Sequence, residues 1–202
     1  VGCLFEFEAQ WFRSRGVPAE WIGHPLGAEP VLAPGADGEI ALLPGSRIET
    51  VRRLLPIMLD AARLLVERHP GVGFHLGMAS TLSAEDLAPM VAAYDLPLKL
   101  HDGARGALAA ASVAVAGAGT VSLEAALMGR RCLVLGKLNP ISALVARRLV
   151  TTPHYALPNM VLGREVCPEL IQETCDVGGV LHGMEALMNH QDTTPDWLTE
   201  LR

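Results

Sequence analysis

Aromatic residues make up only 4% of the 202-residue chain and charged residues only 19%. With so few rings, the core must be aliphatic and closely packed, drawn from Ala, Leu, Val and Gly. Half of the residues are nonetheless hydrophobic, a composition that excludes disorder, collagen and coiled coil. Long apolar runs are also missing. The longest, residues 107–118, is Ala- and Gly-rich and shorter than the roughly 20 residues a membrane-spanning helix needs. No basic stretch leads into an apolar one at the amino end, so no signal peptide is visible. Positive charge is short as well: the net charge of -6 argues against a general nucleic-acid binder, which needs a basic surface for phosphates. The four cysteines, at positions 3, 132, 167 and 175, form no CxxC pair and no zinc spacing. They read as buried, reduced thiols of a cytoplasmic protein. An initiator Met is lacking and Val1 to Phe5 already reads as strand, so the expectation is a chain cut from a longer one.

What is present is alternation. Short apolar runs at residues 39–43, 72–76, 98–100, 113–116 and 132–135 read as strands. Between and beyond them, residues 47–67, 84–93, 105–111, 121–128, 142–149, 168–173 and 177–188 read as helices. In the longest helix, Val51, Leu54, Leu55, Met58, Ala62 and Leu65 recur at three- and four-residue spacing, and Pro56 should kink it. Strands alternating with helices imply βαβ units. The expected fold class is therefore α/β, a Rossmann-like parallel sheet with helices on both faces. Residues 1–23 fall outside this repeat and read as the tail of a preceding domain, and 24–38 as a linker. Residues 39–190 form the Rossmann-like domain, and 191–202 a truncated terminal segment.

Ligands of open parallel sheets sit at the carboxyl ends of strands, where helix N-termini present free amides. Two turns carry suitable chemistry. In Pro44-Gly45-Ser46-Arg47, Gly45 permits close approach of the backbone and Arg47 brings a forked cation suited to phosphate oxygens. Ser46 and Glu49 have the spacing of a capping box, so an ordinary capped helix with a solvated Arg fits the same residues. In Gly117-Ala118-Gly119-Thr120, two glycines open the loop and Thr120 can cap the helix or touch a phosphate. Glu124, one turn on, is placed to accept from a pair of sugar hydroxyls, although a tight turn with a surface Glu fits equally. His24 reads as structural, and Arg130-Arg131 and Arg147-Arg148 as helix-terminal charges facing water. The histidines at 69, 75, 101, 154, 182 and 190 show no ligand spacing. Asn159, Gly163, Arg164 and Glu165 lie in a loop leading to a helix that contains Glu169 and Gln172.

Taken in order, the segments WIGHPL (21–26), LLPGSRIE (42–49), GAGTVSLEAAL (117–127) and LPNMVLGREVCPELIQ (157–172) resemble the lipid-A-disaccharide synthases. The resemblance covers residues 1 to about 188. It implies one half of a glycosyltransferase-B architecture, in which two Rossmann-like domains face a cleft. The implied reaction transfers diacylglucosamine from its UDP derivative to diacylglucosamine 1-phosphate, giving a β-1,6 disaccharide and UDP. No metal and no cofactor are expected. Residues matching the family's donor site are Gly45, Ser46 and Arg47 at the diphosphate, Gly119 and Thr120 at the nucleotide, and Glu124 at the ribose. Asn159, Gly163, Arg164, Glu165 and Gln172 match the motif lining the cleft. The resemblance places the catalytic carboxylate, the acceptor site and the membrane-contacting surface in an amino-terminal domain absent here. The chain is thus expected to bind nucleotide weakly and not to turn over, with cytoplasmic or inner-membrane-peripheral location. Three departures stand out: Ala118 where Ser is usual, Gly136-Lys137 where an aromatic and Arg are typical, and Phe5-Glu6 without a preceding Pro. They keep open a non-catalytic nucleotide-binding relative. Another glycosyltransferase-B enzyme, such as a UDP-N-acetylglucosamine 2-epimerase or the muramyl-peptide transferase, shares single turns but not the ordered set.

Overall fold

The computed structural model describes residues 1–33, 35–139, 153–189 and 195–202. Two short parallel strands, β1 (Gly2–Cys3) and β2 (Glu20–Trp21), are joined through helix α1 (Glu6–Arg13) and form a sheet of their own. Trp11, Trp21 and Ile22 stand exposed around it. The main sheet has six strands: β3 (Ala36–Leu43), β4 (Gly73–Met78), β5 (Leu98–Asp102), β6 (Ala111–Gly117), β7 (Arg131–Gly136) and β8 (Glu169–Ile171). All its pairings are parallel, in the order β5-β4-β3-β6-β7-β8. The described helices that connect and follow them are α2 (Ile48–Arg68), α3 (Ala84–Val91), α4 (Gly103–Ala110), α5 (Thr120–Leu127), α6 (Leu157–Leu162), α7 (Val177–Met188) and α8 (Leu198–Leu201).

Successive strand residues point to opposite faces, and both faces here are apolar. Ile40, Leu42, Phe74, Leu76, Val113, Val115, Leu133 and Leu135 meet Leu54, Met58 and Leu65 of α2 and Val180 and Met184 of α7. Ala41, Leu43, Ala114, Ala116, Cys132 and Val134 meet Leu108 of α4, Leu123 and Ala126 of α5, and Leu198 of α8. The second face is lined by smaller side chains, so its helices lie close. A Cβ on Gly77 would come within 2.6 Å of Leu43 Cδ2 and 3.1 Å of the Ala104 Cα. The expected parallel sheet with helices on both faces is therefore present, and the aliphatic composition is what allows its close spacing.

Several expectations need correction. The helix expected at 168–173 is instead strand β8 followed by a single 3-10 turn, Gln172–Thr174. Three residues carry too little pattern to announce a strand; it is made by pairing with β7, Val134 to Glu169 and Leu135 to Leu170. The loop expected around Pro158-Asn159 is helix α6, with Pro158 in its first turn where a missing N–H costs nothing. The Ser46–Glu49 capping box does not form: Arg47 is the N-cap of α2, without a side-chain cap, and Glu49 pairs with Arg52 at 2.9 Å. The amino-terminal strand is shorter than expected, because α1 begins at Glu6. The helix expected at 142–149, with Arg147-Arg148, and His190 lie outside the described residues.

The linker expected at 24–38 is strapped down along most of its length. His24 Nδ1 accepts from the Leu26 amide, capping a 3-10 turn at Pro25–Ala28, and its ring stacks on Phe5. Arg130, expected to face water, is 2% exposed. It donates to the carbonyls of Leu108 (2.9 Å), Leu32 and Ala33. Arg202 donates to the carbonyls of Leu127, Gly27 and Glu29. Strand β3 has already begun at Ala36. Elsewhere, His75 is buried between Glu39 (2.8 Å) and His101 (2.7 Å), a polar chain across β3, β4 and β5.

Candidate functional site

In the order β5-β4-β3-β6-β7-β8 the connections reverse direction between β3 and β6, the point where doubly wound sheets open a crevice at their carboxyl ends. The register pairs Leu43 with Ala116, so the turns that follow both strands emerge side by side. They touch: a Cβ on Gly117 would sit 3.0 Å from the Pro44 carbonyl oxygen. Gly45 has φ +110 and Gly119 φ +139, conformations that side chains disfavour, so glycine is required at both bends.

The crevice is a cavity of about 590 Å³. One wall is Pro44 to Arg47 with Thr50, the other Gly117 to Val121 with Glu124, and the far side is Ala79, Ser80 and Gly103 to Arg105. Gly45, Ser46, Arg47, Gly119, Thr120 and Glu124 are thus brought together from two separate segments. Neither α2 nor α5 takes a side-chain cap, so their first amides face the crevice uncapped by side chains. Arg47 is exposed, and its guanidinium has no hydrogen bond or ion pair among the described residues. Two helix N-termini and a guanidinium without a partner among the described residues converge here, chemistry suited to an anion. Glu124 is half-buried, and burial pushes its carboxyl above the ordinary range; Arg105 draws it back down and Glu29 pushes it up again. A carboxyl held there can accept from neutral hydroxyls when ionised, while the uncapped amides lie at the helix ends. Among the described residues no group of three or more His, Cys, Asp or Glu is arranged to hold a metal.

The second half of the expected site does not line this cavity. Asn159 is fully buried; its Nδ2 donates to Cys167 O and Glu169 Oε1 (2.7 Å each), and its Oδ1 accepts from the amides of Val166 (2.8 Å) and Cys167 (2.9 Å). Glu169 in turn accepts from the amides of Tyr155 and Ala156, at the start of α6. Asn159 therefore holds α6 to β8 instead of facing a ligand. Gly163 is the left-handed residue ending α6 (φ +65), Arg164 pairs with Glu200 at 2.6 Å, and Glu165 is exposed. Gln172 opens the turn after β8, at the sheet's other edge, with φ +55. That is an uncommon conformation for a side-chain-bearing residue. Lys137 is spent on the Cys175 carbonyl at 2.7 Å. The sequence reading missed the third turn, Asp102-Gly103-Ala104-Arg105. Its signal was the same as in Pro44 to Arg47: a strand end, a glycine with positive φ and an Arg entering a helix.

A doubly wound Rossmann-like domain with a crevice at its crossover is the class these features define. Comparison with known proteins narrows it. Residues 1–194 match the model of the lipid-A-disaccharide synthetase family, and the chain belongs to that family. Lipid-A-disaccharide synthase of Nitrosococcus oceani is 39% identical over 186 residues, covering 86% of this chain and 48% of the relative. The enzyme of the same name from Pseudomonas putida W619 is 39% identical over 182 residues, covering 84% and 48%. That of Granulibacter bethesdensis is 35% identical over 212 residues, covering 95% and 52%. The chain spans about half the length of these relatives. Among solved structures, TarM superposes with TM-score 0.57 at 14% identity, over all of this chain and 39% of TarM. A S. aureus TarM mutant in complex with Fondaparinux, alpha-GlcNAc-glycerol and UDP gives TM-score 0.61 at 13% identity, with the same coverage. At such identities the likeness shows the fold.

Proposed function

We propose that this chain is the donor-binding half of a lipid-A-disaccharide synthase, and that its crossover cleft seats the UDP of a UDP-diacylglucosamine donor. The observation that carries the reading is the convergence on one cavity of two helix N-termini without side-chain caps and of Arg47, which has no partner among the described residues. In the reaction, the 6-hydroxyl oxygen of diacylglucosamine 1-phosphate bonds to the donor's anomeric carbon. The anomeric carbon–oxygen bond to diphosphate breaks, and UDP leaves carrying the electron pair. The hydroxyl proton passes to a base outside this chain. Charge grows on the diphosphate as that bond breaks, so amides and a guanidinium fixed there favour the transition state over the ground state. Glu124 is the acceptor for the ribose hydroxyls.

In this reading β1, α1 and β2 are the last βαβ unit of a second sheet. An isolated parallel pair with exposed Trp11, Trp21 and Ile22 is not a self-sufficient layer. That second domain supplies the acceptor site and any peripheral membrane contact, at the cytoplasmic face of the inner membrane. No described helix is long and apolar enough to cross a membrane. The test is calorimetric titration with UDP, with ADP as control, for the parent and Arg47→Ala. UDP should bind in preference to ADP, and the variant should lose about 1.5–3 kcal/mol, the range of a charge-assisted hydrogen bond. Equal UDP affinity in both would move the diphosphate elsewhere.

A further inference from the structure

Arg105 is a charged residue of the cavity that the family motifs leave without a role. It stands in the first turn of α4, lines the same cavity as Glu124, and pairs with Glu29 of the strapped segment at 2.8 Å. Glu29 is itself fixed, since its carbonyl accepts from Arg202 at 2.8 Å. The charged groups that bear on Glu124 are Arg105 from α4 and Glu29 from the strapped segment. Arg47 lines the cavity from the start of α2. We propose that Arg105 is a positioning residue of the donor cleft, holding the Glu124 carboxylate ready to accept from ligand hydroxyls, with Glu29 limiting how much of its charge reaches that carboxylate. The inference rests on the ribose-facing reading of Glu124.

The physical reason lies in two opposed effects. Partial burial favours the neutral carboxyl, and a neutral carboxyl accepts poorly from a diol. A cation at the rim offsets that preference, and an anion beside the cation weakens the offset. Arg105→Gln and Glu29→Gln cut the same ion pair, yet they should move Glu124 in opposite directions. If Arg105 served only to tie the strapped segment to α4, both variants would do the same thing.

UDP affinity is measured by calorimetry from about pH 4.5 to about pH 8, where carboxylates of raised pKa titrate, in the parent, Arg105→Gln, Glu29→Gln and Glu124→Gln. Inorganic diphosphate is titrated in parallel. UDP affinity should be lost as pH falls through the Glu124 titration. Arg105→Gln should move that loss to higher pH, weakening UDP by up to about threefold low on the parent's acid limb and not at all well above it, as a half-unit movement gives. Glu29→Gln should move it to lower pH. Both displacements should shrink at roughly 0.5 M salt, because the Arg105–Glu29 pair is close to half exposed. Diphosphate affinity should show neither displacement. Movement of the limb in one common direction, or no movement while Glu124→Gln abolishes it, overturns the role of Arg105. An acid limb that survives in Glu124→Gln, or a parent that binds no UDP, removes the ribose assignment and this inference with it.

Discussion

Replacing Asn159 by Ala separates a ligand-facing residue from one that holds the fold. The truncation removes four hydrogen bonds at a fully buried position. Two amides, of Val166 and Cys167, and the Cys167 carbonyl lose their partner, and Glu169 loses one donor of three. Orphaning a buried polar group costs about 1–3 kcal/mol. Some of that returns where the loop reaches water, so about 4 kcal/mol in total is expected. For a domain of this size, that lowers Tm by about 8–16 °C. Equilibrium unfolding in urea, followed by circular dichroism, reads it as a fall in midpoint at constant slope. At a temperature where the variant remains folded, its UDP affinity should equal the parent's within about twofold, because the uncapped ends of α2 and α5 do not touch Asn159. A stability loss below about 1 kcal/mol, or a tenfold loss of UDP affinity in the folded variant, would refute the structural assignment.

Glu124→Gln should weaken UDP but not diphosphate, and should also stabilise the protein. Because burial raises the folded carboxyl's pKa, the unfolded chain loses that proton first as pH rises, and stability falls through that window. The variant should therefore match the parent in acid, where the carboxyl is protonated in both states, and exceed it in Tm at neutral pH. Arg130→Met keeps an apolar stem but orphans the carbonyls of Leu32, Ala33 and Leu108. It should cost about 3 kcal/mol or more in urea, and Arg130→Lys should recover less than half, because an ammonium cannot fork to all three. Burial pushes the Cys167 thiol up to about 12 and raises those of Cys132 and Cys175. A thiol reagent near pH 8 should leave these three unmodified in the native protein and modify all four cysteines once it is unfolded.

The alternating strands and helices, and the two glycine turns that meet at the crossover, were legible in the residues. Each is a local property. A run such as Ile40 to Leu43, short, apolar and closed by Pro44-Gly45, reads as a strand buried on both sides, and Gly45 and Gly119 mark the bends because few other residues adopt a positive φ. What escaped depends on partners beyond the local stretch, from 7 residues away for Asn159 to nearly a hundred for Arg130. Strand β8 exists because β7 offers a free edge at Val134 and Leu135. Arg130 is buried because the carbonyls of Leu108, Leu32 and Ala33 converge on it, the latter two from nearly a hundred residues away. Asn159 turned inward because Val166, Cys167 and Glu169 fold back to meet it. Arg105 joined the cleft because parallel strand order, rather than sequence distance, sets which turns share an end of the sheet. The sequence determined the strands, the helices and the turn chemistry, since these are settled by residues a few positions apart. Which polar groups face the cavity and which are consumed inside was decided by tertiary packing, because a buried polar atom bonds to whatever the fold brings within about 3 Å.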